Sequence, residues 1–189
     1  MKKSTIVLIV IGVIIAILLF SVIGMYNGLV SKNETITKQY SNLEVMLQRR
    51  ADLIPNLVNT VKGFTSHENE VIDKVVEARQ NLLGAKSIEE KQKANSELTN
   101  ALDALMVVVE NYPDLKSSTN FVNLQDELAG TENRIATARK DYNEAVNSYN
   151  KSIKLSLINC FVFFEETLAF LTFIITPLNK YKLIINIIV

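Results

Sequence analysis

The residues of this 189-residue chain with the most chemical capacity are Asp52, Glu132, Arg134 and Arg139. Paired carboxylates can share general acid and general base work. Read that way, the chain is a membrane-tethered hydrolase that uses carboxylates of its first and last soluble helices. A deep polar cleft with Asp52, Glu132 and Arg139 converging on it would favour that reading. The same charges have a simpler use, pairing with Arg50 or Asp52 across a helical bundle. A dry, continuous core would favour this second reading. His67 is the only histidine and falls in an expected turn, as a solvated cap residue. One histidine excludes a His-pair zinc site and leaves no Cys-His site of sensible spacing. Cys160, the only cysteine, sits in an apolar tail as a small hydrophobe, so no intrachain disulfide can form. No glycine-rich phosphate loop, serine nucleophile elbow or kinase signature is present. No cofactor, metal or catalytic residue is expected.

These side chains need helices to position them. Ile36, Tyr40, Leu43, Leu47, Arg50, Ile54, Leu57, Val61 and Phe64 follow in steps of four and three. That spacing makes one apolar stripe. Arg50 interrupts it with a charge, and a guanidinium on a core seam must find a partner. Pro55 interrupts the backbone ladder, because it has no N–H to donate and its ring crowds the preceding turn. A buried charge and a kink are therefore expected five residues apart.

Charge composition limits the partners. Lysine plus arginine equals aspartate plus glutamate at 20 each. Between residues 27 and 154 there are 16 basic and 18 acidic residues, a net of −2. That balance argues against a surface that tracks nucleic-acid phosphates. Hydrophobic residues make up 48%, and they concentrate at the two ends of the chain.

Lys2 and Lys3 precede an apolar run over residues 6–20, which with its flanks is long enough to cross a bilayer as a helix. Ser21-Val22-Ile23-Gly24 is a poor cleavage site, so residues 1–26 are expected to be an uncleaved anchor in the lipid bilayer. Lys2 and Lys3 on one side against Lys32 and Lys38 on the other place the domain outside, by a weak bias. The first soluble helix runs from Asn27 to about Phe64, on the order of 55 Å. Ser66 caps a second helix, with the stripe Val71, Val75, Ala78 and Leu82 and a stop at Gly84. Ser87 and Glu90 form a capping box for a third, with Ala94, Leu98, Ala101, Leu105, Val108 and Tyr112 as its stripe. Pro113 ends it. Asn120 caps the fourth, whose stripe is Phe121, Leu124, Leu128, Thr131, Ile135, Ala138, Tyr142, Ala145 and Tyr149. Short connections favour antiparallel neighbours. The expected fold is all-α, a transmembrane helix followed by an antiparallel up-and-down four-helix bundle over residues 27–154. An extended coiled coil and a homo-oligomer are compatible with the same pattern.

Three segments in order carry a family resemblance. They are Arg49-Arg50-Ala51-Asp52-Leu53-Ile54-Pro55-Asn56-Leu57-Val58, Glu110-Asn111-Tyr112-Pro113-Asp114-Leu115, and Gly130-Thr131-Glu132-Asn133-Arg134-Ile135-Ala136 with Ala138-Arg139 and Tyr142-Asn143. Over about residues 6–154 the chain resembles the LemA family of bacterial membrane proteins. The resemblance implies one N-terminal membrane span, a helical bundle, a cell-envelope setting and no catalytic residues. Function does not follow from a fold.

LemA-like chains usually continue past the Tyr149-Asn150 region with an Arg/Lys, Phe-Pro and Gly-Phe pattern. Residues 155–189 are instead rich in Ile, Phe, Leu, Asn and Lys. A reading-frame shift near Lys154 would produce such a tail. It could also be a second membrane segment, although Glu165 and Glu166 oppose insertion. The expected protein is a non-enzymatic, membrane-anchored helical module that binds another envelope protein.

Overall fold

The computed structural model describes residues 3–65 and 67–188, with side chains placed at 9, 11–65, 67–156, 158, 162, 163 and 165–167. Helices α1 (Lys3–Lys62), α2 (Asn69–Gly84), α3 (Ile88–Val109), α4 (Pro113–Lys116) and α5 (Thr119–Ile188) account for nearly all of it. The chain divides into two compact units, Ile36–Glu144 and Met1–Thr35 with Ala145–Val189. The helices α1 and α5 run through both.

Within Ile36–Glu144, side-chain contacts give the helix directions. Tyr40 meets Tyr142, and Arg49 meets Glu127, so α1 and α5 are antiparallel. Glu44 meets Lys91 and Arg50 meets Thr99, so α1 and α3 are parallel. Arg79 meets Ala51 and Tyr112 meets Glu68, which makes α2 antiparallel to both α1 and α3. The order is up, down, up, down. The core lies along the shared seam: Leu43, Leu47, Ile54, Leu57 and Val61 of α1 with Ile72, Val75, Leu98, Leu105, Phe121, Leu128 and Ile135. Full burial of a Leu, Ile or Phe side chain contributes roughly 1.5–3 kcal/mol. Spread over many positions, that offsets the chain entropy lost on folding.

Local chemistry sets the helix ends. Ser87 Oγ accepts from the backbone N–H of Glu90 at 3.1 Å, and the Glu90 carboxylate accepts from the N–H of Ser87 at 3.0 Å and of Lys86 at 2.8 Å. This is the expected capping box. Gly84 closes α2, and Ala85 leaves in an extended conformation. Ser66 lies outside the described residues.

Several expectations need correction. Phe64 is 45% exposed and off the seam, because α1 stops at Lys62 and its turn carries the ring away; Val58 is buried instead. On α3, Val109 is buried and Val108 only half-buried, and Asn95 joins Ala94 inside. Asn120 does not cap the last helix: α5 starts at Thr119, and the Ser118 carbonyl accepts from the N–H of Val122 at 3.0 Å. A proline fits the first turn of a helix, where its missing N–H has no partner to lose. Pro113 therefore opens the extra turn α4 as well as ending α3. The anchor and first soluble helix form one uninterrupted α1, and α5 stays helical to Ile188.

In the other unit, Ile9, Val13, Ile15, Ile17, Leu18, Leu19, Phe20, Val22 and Ile23 are all exposed. An α-helix that exposes apolar side chains on all its sides suits a membrane. Among the described residues, the only helix long and apolar enough to cross one lies within Ile11–Lys62.

Candidate functional site

Arg50 projects from α1 into the bundle and is 4% exposed. Its Nη1 donates to Asn95 Oδ1 at 2.7 Å and to Thr99 Oγ1 at 3.0 Å on α3. It also forms an ion pair with Glu132 Oε2 of α5 at 2.5 Å. One guanidinium thus ties together three helices. Burial pushes Arg50 below its ordinary value, the charges of Glu132 and Asp103 oppose that, and Arg139 adds to it. A guanidinium stays protonated through such shifts. Arg50 Nε and Arg139 Nε are enclosed without an acceptor. The layer is a polar plug in an apolar core. Its Glu132 carboxylate is committed to the ion pair.

Pro55 does not interrupt the helical course of α1. Its ring removes the donor that would serve the carbonyl of Ala51, four residues earlier. Arg79 Nε of α2 donates to that oxygen at 2.7 Å. The arginine supplies the lost hydrogen bond from a neighbouring helix.

The hydrolase geometry is not assembled. Asp52 is exposed and accepts from Gln48 Nε2 at 2.8 Å on its own helix, so it does not pair across the bundle. Glu132 faces Arg50. Arg139 is half-buried near Arg50, and Arg134 is exposed. Arg49 is exposed and holds Glu127 at 3.4 Å. Asn56 is exposed, and its backbone carbonyl accepts from Thr60 Oγ1 at 2.9 Å. Tyr112 donates to Glu68 at 2.9 Å, which raises its phenol above the ordinary range. Tyr142 packs against Tyr40 with ring centroids 6.1 Å apart. Lys91 pairs with Glu44 and lies over the Tyr40 ring, 5.3 Å from its centroid. His67 is exposed. Among the described residues no three of His, Cys, Asp and Glu gather as metal ligands.

An open cleft of about 570 Å³ lies between α1, the end of α2 and the start of α3. It is lined by Glu44, Val45, Gln48, Asp52, Leu83 and Lys91, among others. Asn95, Thr99 and Arg79 are the residues that sequence reasoning missed. Asn95 sits one position off the apolar stripe of α3, so it resembles a solvent-facing amide. The signal for Arg79 was Pro55 itself: a proline inside a helix leaves the carbonyl four residues earlier in need of a donor.

These features define a membrane-associated helical-bundle protein with a charged layer through its core. The LemA family profile matches residues 39–166, and the chain belongs to the LemA family. Magnetosome protein MamQ 2 of Paramagnetospirillum magneticum is 31% identical, over 80% of this chain and 69% of its own length. MamQ of Magnetospirillum gryphiswaldense is 29% identical over the same shares. Protein LemA of Metamycoplasma hominis is 27% identical, over 77% of this chain and 67% of its own. The matched region runs past Lys154 into the atypical tail, as far as Glu166.

Proposed function

We propose that this chain is a non-enzymatic helical module of the cell envelope, anchored in the bilayer by α1, that binds another envelope protein. One observation carries the reading. The N-terminal stretch of α1 exposes Ile9, Val13, Ile15, Ile17, Leu19, Phe20, Val22 and Ile23, and in the bundle Arg50 is engaged by Glu132, Asn95 and Thr99. Such a bundle is built to be held at a membrane surface and to present its outside. The open cleft beside Val45, 58% exposed, and Leu83, 43% exposed, offers mixed apolar and charged contacts of the kind interfaces use. Lys2 and Lys3 favour an extracytoplasmic bundle.

The test is site-specific photocrosslinking of the full chain in native membranes, with the probe at Val45 or Leu83 and a control at Val107 on another exposed face. A single envelope protein trapped at the cleft positions and not at the control is the expected result. Absence of any adduct, together with a hydrolytic activity lost in Glu132→Gln, would overturn the reading.

A further inference from the structure

The unit formed by the two ends of the chain contains a helix pairing that a single anchor does not need. Lys32 Nζ of α1 donates to Ser148 Oγ of α5 at 2.7 Å. Further toward the N-terminus, Met25 Sδ accepts from Ser156 Oγ at 3.3 Å. A step of seven residues back along α1 is matched by a step of eight forward along α5. The two helices are therefore antiparallel and in steady register. Gly28, Leu29, Ser152 and Leu155 line a narrow groove between those two contacts. Ser148, Ser152 and Ser156 recur every four residues and so occupy one face of α5. Small and hydroxyl side chains at this spacing let two helices approach closely, so the pairing is set just before the crossings.

We propose that α5 re-enters the bilayer beside α1, so that the chain crosses the membrane twice as an antiparallel hairpin. The proposal rests on the reading of α1 as a membrane anchor. Continuing the register carries the backbone of α5 back alongside the part of α1 that holds Ile9 to Ile23. The two helices then share one slab. Residues 27–154 separate the crossings. Glu165 and Glu166 are exposed on α5 and would fall within the slab. Acids there are costly, pair with a polar partner or face a water-filled cavity, and mark a functional position by default.

The hairpin is testable in cells that express the full chain with Cys160→Ser and one new cysteine. A membrane-impermeant maleimide is applied before and after lysis to Ser4→Cys, Asn150→Cys and Asn179→Cys. The hairpin requires Asn179→Cys to follow Ser4→Cys and to differ from Asn150→Cys. Asn179→Cys behaving like Asn150→Cys overturns the second crossing while leaving the anchor intact. Ser4→Cys and Asn150→Cys behaving alike overturns the anchor, and the hairpin with it. A Met25→Cys, Ser156→Cys double variant, oxidised in membranes, should form an intramolecular disulfide. Failure to crosslink, with Asn179→Cys on the Ser4→Cys side, shows that α5 crosses elsewhere and overturns the pairing.

Discussion

Arg79 Nε donates to the carbonyl oxygen of Ala51 at 2.7 Å, and that carbonyl is the one Pro55 deprives of its helical donor. The proline and the arginine are coupled through an atom that belongs to neither. A carbonyl left without a donor in the partly buried seam costs about 1–3 kcal/mol. Arg79→Ala should therefore destabilise the bundle by about that amount. In a Pro55→Ala background residue 55 recovers its N–H, so the same substitution should cost less. Urea titrations of the four proteins of this double-mutant cycle give the coupling. Equal costs in both backgrounds would show that Arg79 acts independently of the proline.

Arg50→Ala should cost about 1–3 kcal/mol, because it leaves Asn95 buried without its donor, while Glu132, 41% exposed, can turn to water. Arg50→Met combined with Asn95→Leu should recover much of the loss, since replacing both partners of a buried hydrogen bond by apolar groups can be nearly neutral. The readout is the denaturant midpoint. An unchanged midpoint for Arg50→Ala would remove the charged layer from any account of stability.

Stability should fall on acidification through the contact between Glu44 and Lys91. The Lys91 hydrogen bond holds Glu44 below its ordinary value of 4.5, against desolvation, with help from Tyr40. A depressed carboxyl contributes stability that is present above 4.5 and is lost as pH falls through its lower folded-state value. For Lys91, burial pulls the amine down, but Glu44 and Tyr40 more than offset it, leaving it above 10.5. That contribution is whole below pH 10.5 and disappears as pH rises through the higher folded value. Thermal melts across acid pH should show a smaller decline for Glu44→Gln than for the parent chain.

A fragment of residues 27–154 should fold alone, with helical circular dichroism and a cooperative melt. It contains every residue of the compact unit Ile36–Glu144 and, among the described residues, all of the buried core. A helical but non-cooperative fragment would mean that the ends of the chain contribute to bundle stability.

Much of this protein was legible before folding because its signals are local. The period of Leu43, Leu47, Ile54, Leu57 and Val61, and the Ser87–Glu90 box, depend only on neighbours within one or two turns. The exposed apolar run of α1 likewise needed no partner to be recognised. Arg50 could be marked as a charge on a seam, and a carboxylate across the bundle could be expected. That the carboxylate is Glu132, and that Asn95 and Thr99 join it, is a matter of register between helices 45 to 82 residues apart. Such register is set by how whole helix faces interlock, and no short window of sequence contains it. The same holds for Arg79. Its reach to Ala51 exists only because α2 packs antiparallel against the turn that Pro55 opens.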